Sequence, residues 1–351
     1  YNIIEVMCVK YYDGTKLLSL LDVNRKKPEI YMTVGNRSAG KTTYFNRLAV
    51  NRFLKNGSKF GVMYRYDYEV DNCHDKFFKD IQTLFFKAYN MTSKKRENGV
   101  YTELFLNEKS CGYAFALNKA DQIKKVSHLL SDISFYIFDE FQSETNHYCP
   151  NEIEKFVSIH TSIARGGGEA VRYVPVYLLS NAVSILNPYF SAMNVSQRLR
   201  NDTKFLRGDG WVLEQAFIDD VSVKQKESAF NRAFKNNKYV AYSAENVYLN
   251  DDNTFIENVS GESRYLLTLV YDKTEYAIRE YGKQGILYCS KNIDSSCKTK
   301  ITVTTDDMMP NYVMISRNNF LIKTLRKFFE NGCFRFKDAK CKEALIKTIS
   351  F

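Results

Sequence analysis

The chain has 351 residues, of which 44% are hydrophobic, an ordinary content for a globular protein large enough for two domains. No apolar run approaches the about 18 residues that a membrane-spanning helix needs, and none of the eight cysteines forms a C-x-x-C pair, so neither a membrane protein nor a zinc ribbon is expected. Lysine and arginine exceed aspartate and glutamate by ten, which suggests a polyanionic partner for a reduced, soluble, intracellular protein.

The first 200 residues alternate strand-like and helix-like runs, the pattern of a parallel α/β sheet. Strands are predicted at 29–35, 59–66, 112–118, 133–139 and 174–181. Helices are predicted at 41–55, 72–90, 119–131 and 151–164. The basic run 94–99 is interpreted as an exposed turn.

A phosphate-binding loop follows the first predicted strand, since residues 35–42 match G-x-x-x-x-G-K-[ST]. Its glycines let successive backbone N–H groups face phosphates, and the following helix attracts anions to its N-terminus. Lys41 adds a point charge and Thr42 offers a hydroxyl to Mg²⁺. Arg37 either contacts phosphate within its own subunit or responds to a lid. We predict that ATP binds to Gly35, Asn36, Arg37, Ser38, Ala39, Gly40, Lys41, Thr42 and Thr43.

The predicted strand 133–139 ends in two carboxylates, as a Walker B strand does. A buried parallel strand presents its last residues at the ligand edge of the sheet. Asp139 is therefore expected to hold Mg²⁺ through water, and Glu140 to polarise the water that attacks the phosphate. The alternative is an apolar strand that ends in ordinary surface acids. A base that activates water favours hydrolysis over phosphoryl transfer.

Two further polar residues complete the predicted catalytic set. Asn181 ends another apolar strand, where it either contacts the γ-phosphate or attacking water, or simply forms a turn. Arg165 precedes a run of three glycines and could project from a loop into a neighbouring subunit as an arginine finger. Arg172 competes for that role, and a plain surface position is the alternative for both arginines.

The pattern changes at about residue 200. An arginine-rich run, Gly208-Asp209-Gly210 and a polar helical stretch indicate a lid and linker over 200–236. Short alternating strands follow at 238–248, 263–271, 274–280 and 284–290, and helices at 316–330 and 338–349 close the chain.

Several sequence blocks, in order over nearly the whole chain, carry a family resemblance. They are Asn51-Arg52-Phe53, Phe138-Asp139-Glu140-Phe141, Pro150-Asn151-Glu152, Leu179-Ser180-Asn181-Ala182-Val183-Ser184, Asn187-Pro188-Tyr189-Phe190, Thr304-Thr305-Asp306-Asp307, and Asn331-Gly332 followed by Arg335-Phe336. With these blocks the chain resembles the DNA-packaging ATPases of phi29-like bacteriophages.

The resemblance implies an ASCE-type ATPase domain over 1–199 and an RNase H-like domain, a vestigial nuclease, over 237–351. It implies a homopentameric ring that uses ATP and Mg²⁺ to drive double-stranded DNA through the portal of an empty procapsid. Such a motor works in the host cytoplasm, docks transiently at the portal vertex and is absent from the mature virion. Whether a packaging RNA takes part stays open.

The resemblance also assigns roles to residues. It makes Lys41 and Thr42 nucleotide ligands, Asp139 the Mg²⁺ ligand, Glu140 the catalytic glutamate and Arg165 the trans-acting finger. A glycine-rich insertion beside the finger leaves the choice between Arg165 and Arg172 open, and acidic neighbours make Arg65 a doubtful second trans-acting cation. The resemblance places three lysines near a basic segment that faces DNA in the channel: Lys119, Lys124 and Lys125.

Two functional alternatives remain at this stage, a helicase-like ATPase that acts on single strands and a nucleotide-gated scaffold that hardly hydrolyses ATP. Nuclease activity is not expected in the C-terminal region. Two-metal cleavage needs three or four converging carboxylates, and this region offers Asp272, Asp306 and Asp307 with no clear further inward acid.

Overall fold

The computed structural model describes residues 11–349, except 72, 146, 166–170, 186, 197, 200–202, 235–239, 241–247 and 249–254. The chain divides into two compact units, Tyr1–Asp251 and Asp252–Phe351. Each unit is built around a β-sheet of its own.

A nine-stranded sheet with the order β3-β4-β5-β2-β6-β7-β1-β9-β8 forms the centre of the first unit. Six neighbouring strands in this order run parallel to one another: β5, β2, β6, β7, β1 and β9. Antiparallel pairs flank them at both edges of the sheet. The strands are β1 (Ile30–Gly35), β2 (Lys59–Tyr64), β3 (Met91–Arg96), β4 (Tyr101–Leu106), β5 (Lys109–Ala116), β6 (Ile133–Asp139), β7 (Val176–Asn181), β8 (Phe205–Arg207) and β9 (Trp211–Gln215).

Helices cover both faces of this sheet because its central strands are apolar on both sides. Phe45 of α2 and Phe77 of α4 belong to the buried cluster on one face. Ile123 of α5 and Ile159 of α6 belong to the cluster on the other face. The helices are α1 (Thr15–Leu18), α2 (Lys41–Asn56), α3 (Asp67–Val70), α4 (Cys73–Phe85), α5 (Ala120–Val126), α6 (Glu152–Ile163), α7 (Pro188–Ala192), α8 (Asp219–Glu227) and α9 (Ala229–Ala233).

The second unit contains a six-stranded mixed sheet with the order β14-β13-β10-β11-β12-β15. Its strands are β10 (Arg264–Tyr271), β11 (Thr274–Tyr281), β12 (Ile286–Ser290), β13 (Lys300–Thr302), β14 (Val313–Met314) and β15 (Phe334–Phe336). Two helices, α10 (Phe320–Glu330) and α11 (Ala339–Ile349), pack their apolar residues into the core of this unit.

The predicted α/β class, a mostly parallel sheet followed by a smaller domain with a sheet, is confirmed. The basic run 94–99 contains the end of β3 as well as a turn, because Met91–Arg96 pairs with β4. The segment 200–236, interpreted as lid and linker, contributes β8 and β9 to the main sheet, since Ile30 and its neighbours pair with Trp211–Gln215. The observed unit boundary after Asp251 thus differs from the predicted domain limits.

Some strands of the second half of the chain were not predicted, and one predicted strand cannot be compared with the structure. The predicted strand 238–248 lies outside the described residues, apart from two isolated positions. Strands β13, β14 and β15 are too short to show an alternating pattern and were not predicted. None of the helices in the described part of the chain is long and apolar enough to cross a bilayer.

Candidate active site

The phosphate-binding loop joins β1 to α2, and the backbone geometry favours glycine at two of its positions. A Cβ on Gly35 would lie 2.1 Å from the carbonyl oxygen of Ala216, which follows the adjacent β9. Gly40 has φ +88° at the N-cap of α2, a left-handed conformation that other residues adopt only at a cost. The loop can therefore turn tightly into the helix while its backbone stays close to a ligand.

Lys41 begins α2 and is almost fully buried, with 5% of its surface exposed. Its Nζ donates to the carbonyl oxygen of Asn36 at 2.7 Å and lies 3.5 Å from Oδ1 of Asn181. Burial lowers the pKa of Lys41 to about 8, and the Asp139 carboxylate opposes that shift. The ammonium group is thus held inside the site between the loop and the end of β7.

Thr42, Asp139 and Glu140 supply a hydroxyl and two carboxyl groups to the site. Thr42 and Asp139 line the same cavity, and the Thr42 hydroxyl favours the charged form of the Asp139 carboxylate. Burial and the charge of Glu140 raise the pKa of Asp139 to about 6. Glu140 is exposed and has φ +55°, and its N–H donates to Asp139 Oδ1 at 3.0 Å. A hydroxyl and a carboxylate that line one cavity are oxygen donors of the kind that Mg²⁺ prefers.

The strand order brings these groups together, because β7 lies between β1 and β6. Gly35 is opposite Asn181 in the β1–β7 register, and Asp139 is opposite Leu179 in the β6–β7 register. The predicted residues Ser38 to Thr43, Asp139, Glu140 and Asn181 line one cavity of about 720 Å³. Aromatic and other side chains that the sequence analysis did not single out line the same cavity: Tyr11, Tyr12, Tyr44, Arg47, Leu84 and Phe85.

A buried ion pair supports the backbone at Glu140. Arg65, at the end of β2, donates from Nε to the Glu152 carboxylate at 3.1 Å, and both side chains are nearly inaccessible. Its Nη1 donates to the carbonyl oxygen of Glu140 at 3.1 Å and its Nη2 to that of Phe141 at 2.6 Å. Glu152 also accepts from the hydroxyl of Tyr189 at 2.8 Å. Arg65 is therefore committed within its own subunit.

Helix α8 contacts the phosphate-binding loop from the segment interpreted as a lid. The Asn36 amide donates to Ser222 Oγ at 2.9 Å, and Gln225 Nε2 donates to the Arg37 carbonyl oxygen at 3.1 Å. The Arg37 guanidinium reaches Glu144 at 3.3 Å, with about half of its side chain exposed. Both the loop residues and their partners lie in the first unit, so this contact belongs to the nucleotide site itself.

The two candidate finger arginines have different environments. The Arg172 guanidinium donates to the carbonyl oxygens of Ile163 at 2.8 Å and Ile133 at 3.4 Å, and so holds the C-terminal end of α6. Arg165, just beyond α6, is exposed and donates from Nε to the carbonyl oxygen of Thr161 in that helix at 3.2 Å. Arg165 can therefore leave its position at a smaller cost than Arg172.

The three lysines predicted to face DNA also differ. Lys119 donates to the Gly99 carbonyl oxygen at 3.0 Å and lies 3.4 Å from Asp67 Oδ2. Lys124 and Lys125 are exposed in the last turn of α5, and Lys124 lies 3.7 Å from Asp121. All three lysines lie on or next to α5, but Lys119 is already bound to Gly99 and Asp67 of its own subunit.

The fold and this site define the chain as a P-loop nucleotide hydrolase. Its Asp-Glu pair lies at the end of β6, and β7 separates β6 from β1, the strand that leads into the phosphate-binding loop. A sequence profile of the family described as Podovirus DNA encapsidation protein (Gp16) matches residues 8–349. The chain belongs to this family and is a viral DNA-packaging protein.

Individual relatives agree with this assignment. The DNA packaging proteins of Bacillus phage PZA and Bacillus phage phi29 are each 28% identical to the chain over 330 residues, which cover 93% of both sequences. The chain also resembles a chain of the bacteriophage Phi-29 viral genome packaging motor assembly, with a TM-score of 0.64, 24% identity and 97% of each chain covered. This structural likeness shows a shared fold.

Proposed function

We propose that the protein is a motor subunit that hydrolyses ATP with Mg²⁺ and uses the energy to move double-stranded DNA into a preformed procapsid. The observation that carries the proposal is the convergence of Lys41, Asn181 and the Asp139-Glu140 pair in one cavity beside the phosphate-binding loop. Family membership supports DNA as the cargo.

Each group in the cavity has a distinct role in this proposal. The buried Lys41 ammonium and the N-terminus of α2 bind phosphate oxygens. Thr42 and Asp139 hold Mg²⁺, which neutralises charge on the phosphates when it is bound. Glu140 orients and polarises the attacking water, and Asn181, beside Lys41, contacts the γ-phosphate or that water.

We assign the trans-acting finger to Arg165, because Arg172 is occupied at the end of α6. A guanidinium that enters a neighbour's site stabilises charge on the phosphate and couples adjacent subunits. This assignment requires a ring, and the family resemblance supports a homopentamer at the procapsid portal in the host cytoplasm.

The same proposal treats the DNA backbone as the handle, since a packaging motor must be indifferent to sequence. The exposed side chains of Lys124 and Lys125 are the better candidates for phosphate contacts, because Lys119 already pairs with Asp67. Their positive charge would give a salt-dependent grip on the duplex.

The decisive experiment measures ATP turnover alone, with duplex DNA, with single-stranded DNA, and with duplex DNA plus purified procapsids. We expect duplex DNA to stimulate turnover more than single strands, and procapsids to stimulate it further. Glu140→Gln should bind ATP and lose at least about 100-fold in turnover, because the water loses its base. Stronger stimulation by single strands would support a helicase-like enzyme instead, and normal turnover by Glu140→Gln would refute the assigned chemistry.

A further inference from the structure

The cavity of the phosphate-binding loop extends to a group of large, accessible side chains. Tyr11 is 63% exposed, Leu84 is 64% exposed and Phe85 is 42% exposed, although all three line the cavity that holds Lys41 and Asp139. Exposed apolar side chains that share one cavity with polar groups are typical of a ligand site.

Tyr11 is fixed against the phosphate-binding loop. A Cβ on Gly40 would lie 3.5 Å from Tyr11 Cδ1, so the ring lies beside the loop backbone. The next residue anchors this segment, since the Tyr12 N–H donates to the Ala39 carbonyl oxygen at 2.9 Å and its hydroxyl donates to Glu214 at 3.0 Å. Tyr11 therefore occupies a defined position and is available for a partner.

A second flat surface lies further along α2 and at the end of α4. The Arg47 guanidinium lies 4.2 Å from the centroid of the Phe85 ring. Arg47 follows Lys41 by six positions on the same helix, which corresponds to about 9 Å along its axis. The aromatic surface thus runs from Tyr11 at the phosphate-binding loop to Arg47 and Phe85, so a nucleoside attached to phosphates in the loop can reach it within the same cavity.

We propose that the base of the nucleoside triphosphate binds at this aromatic end and stacks on Tyr11 and on the Arg47–Phe85 pair. The inference rests on the proposed function, because it assumes that the triphosphate occupies the loop. Stacking uses the faces of the base, and the guanidinium N–H groups of Arg47 supply hydrogen-bond donors at the rim.

The test compares two ligands of the full chain, ATP and inorganic tripolyphosphate, each with Mg²⁺, by titration calorimetry. The wild-type protein should bind ATP at least about tenfold more tightly than tripolyphosphate, because only ATP has a base to stack. Tyr11→Ala and Phe85→Ala should each weaken ATP binding about tenfold and leave tripolyphosphate binding unchanged. Tyr11→Phe should retain ATP binding.

The controls separate this inference from the proposed function. Phe320→Ala removes a ring that is 84% exposed in the second unit and should change neither affinity. Arg47→Ala removes an exposed side chain, and should weaken ATP selectively even if Phe85→Ala fails to fold. Equal wild-type affinities for the two ligands, or unchanged ATP affinity in Tyr11→Ala, Arg47→Ala and Phe85→Ala, would overturn the base site alone. Failure of the wild type to bind either ligand would overturn the proposed function.

Discussion

At the scale of single residues, the backbone at Glu140 is the feature most closely tied to the proposed catalysis. Glu140 has φ +55°, an unfavourable conformation for a residue with a long side chain. Two contacts hold it there, the bond from its N–H to Asp139 and the bond from Arg65 to its carbonyl oxygen. Such strain persists where the surroundings over-determine it, and here it keeps Glu140 in the lining of the cavity that also holds Lys41.

The finger assignment makes a prediction at this scale. Arg165→Ala should keep ATP binding and lose DNA-stimulated turnover, since the guanidinium acts only on a neighbour's phosphates. Mixed rings with wild-type subunits should recover part of the turnover.

Arg172→Ala is the matched variant, because it removes the bonds to Ile163 and Ile133. It should lower the free energy of unfolding by about 1–2 kcal/mol. DNA should still stimulate the ATP turnover of the variant protein that remains folded. Normal stimulated turnover by Arg165→Ala, measured in the same assay, would reject the assignment.

A buried carboxyl group near the loop gives a pH prediction. Glu214 is 6% exposed, accepts from the Tyr12 hydroxyl, and has its pKa raised by burial. The pKa of Glu214 is higher in the folded than in the unfolded chain. Ionisation of this carboxyl group therefore lowers the free energy of unfolding as the pH rises from the unfolded-state pKa through the folded-state pKa, and the loss persists at higher pH.

Glu214→Gln keeps an acceptor for Tyr12 without the charge, so it should gain about 1 kcal/mol relative to wild type at pH 7 and little at pH 4. Urea unfolding at the two pH values measures this difference, with exposed Glu108→Gln as the control. A gain that is the same at both pH values would contradict the argument.

At the scale of elements, the Arg65–Glu152 pair joins four of them. Arg65 follows β2 and binds the backbone after β6, while Glu152 begins α6 and accepts from Tyr189 of α7. The Glu152 charge keeps the pKa of Arg65 above its usual value in spite of burial. Removing one member of such a pair leaves an uncompensated buried charge.

Arg65→Met and Glu152→Met should therefore each lower the free energy of unfolding by about 3–5 kcal/mol, and the double variant should lose clearly less than the sum. Arg65→Met should also reduce ATP turnover, since it frees the carbonyl oxygens of Glu140 and Phe141. Urea unfolding and an ATPase assay measure both effects. Strict additivity in the double variant would show that the two charges do not depend on each other.

At the scale of the whole molecule, the two compact units carry different chemistry. In the second unit, Asp307 accepts from the N–H groups of Asp272 and Lys273 at 3.1 and 2.8 Å, and from the Thr304 hydroxyl at 2.7 Å. Its carboxylate thus closes the turn between β10 and β11, while Asp272 and Asp306 are exposed. The Asp307 carboxylate is therefore used by its own turn, and the absence of nuclease activity stays a prediction.

The corresponding prediction is that the full chain does not cut DNA with Mg²⁺ or Mn²⁺. Incubation of supercoiled plasmid with the protein, followed by electrophoresis, measures nicking, and a chelator sets the background. Asp307→Ala should destabilise the β10–β11 turn by about 1–3 kcal/mol without changing that background. Metal-dependent cutting that Asp272→Ala abolishes would prove the prediction wrong.

The sequence by itself determined the features that contiguous residues encode. The loop from Gly35 to Thr42 needs its own glycines and a helix start, and the strand that ends at Asp139 needs only an apolar run, so the positions of both could be predicted. The alternation of strands and helices fixed the parallel α/β class for the same reason.

Only the tertiary structure decided the features that distant residues share. The insertion of β7 between β1 and β6 brings Asn181 to Lys41, and strand order is not written in any one segment. The partners of Arg65, Arg165 and Arg172, and the open rings of Tyr11 and Phe85, likewise depend on which elements pack together. Charge and aromatic content are visible in the sequence, but burial and proximity arise only when the sheet assembles.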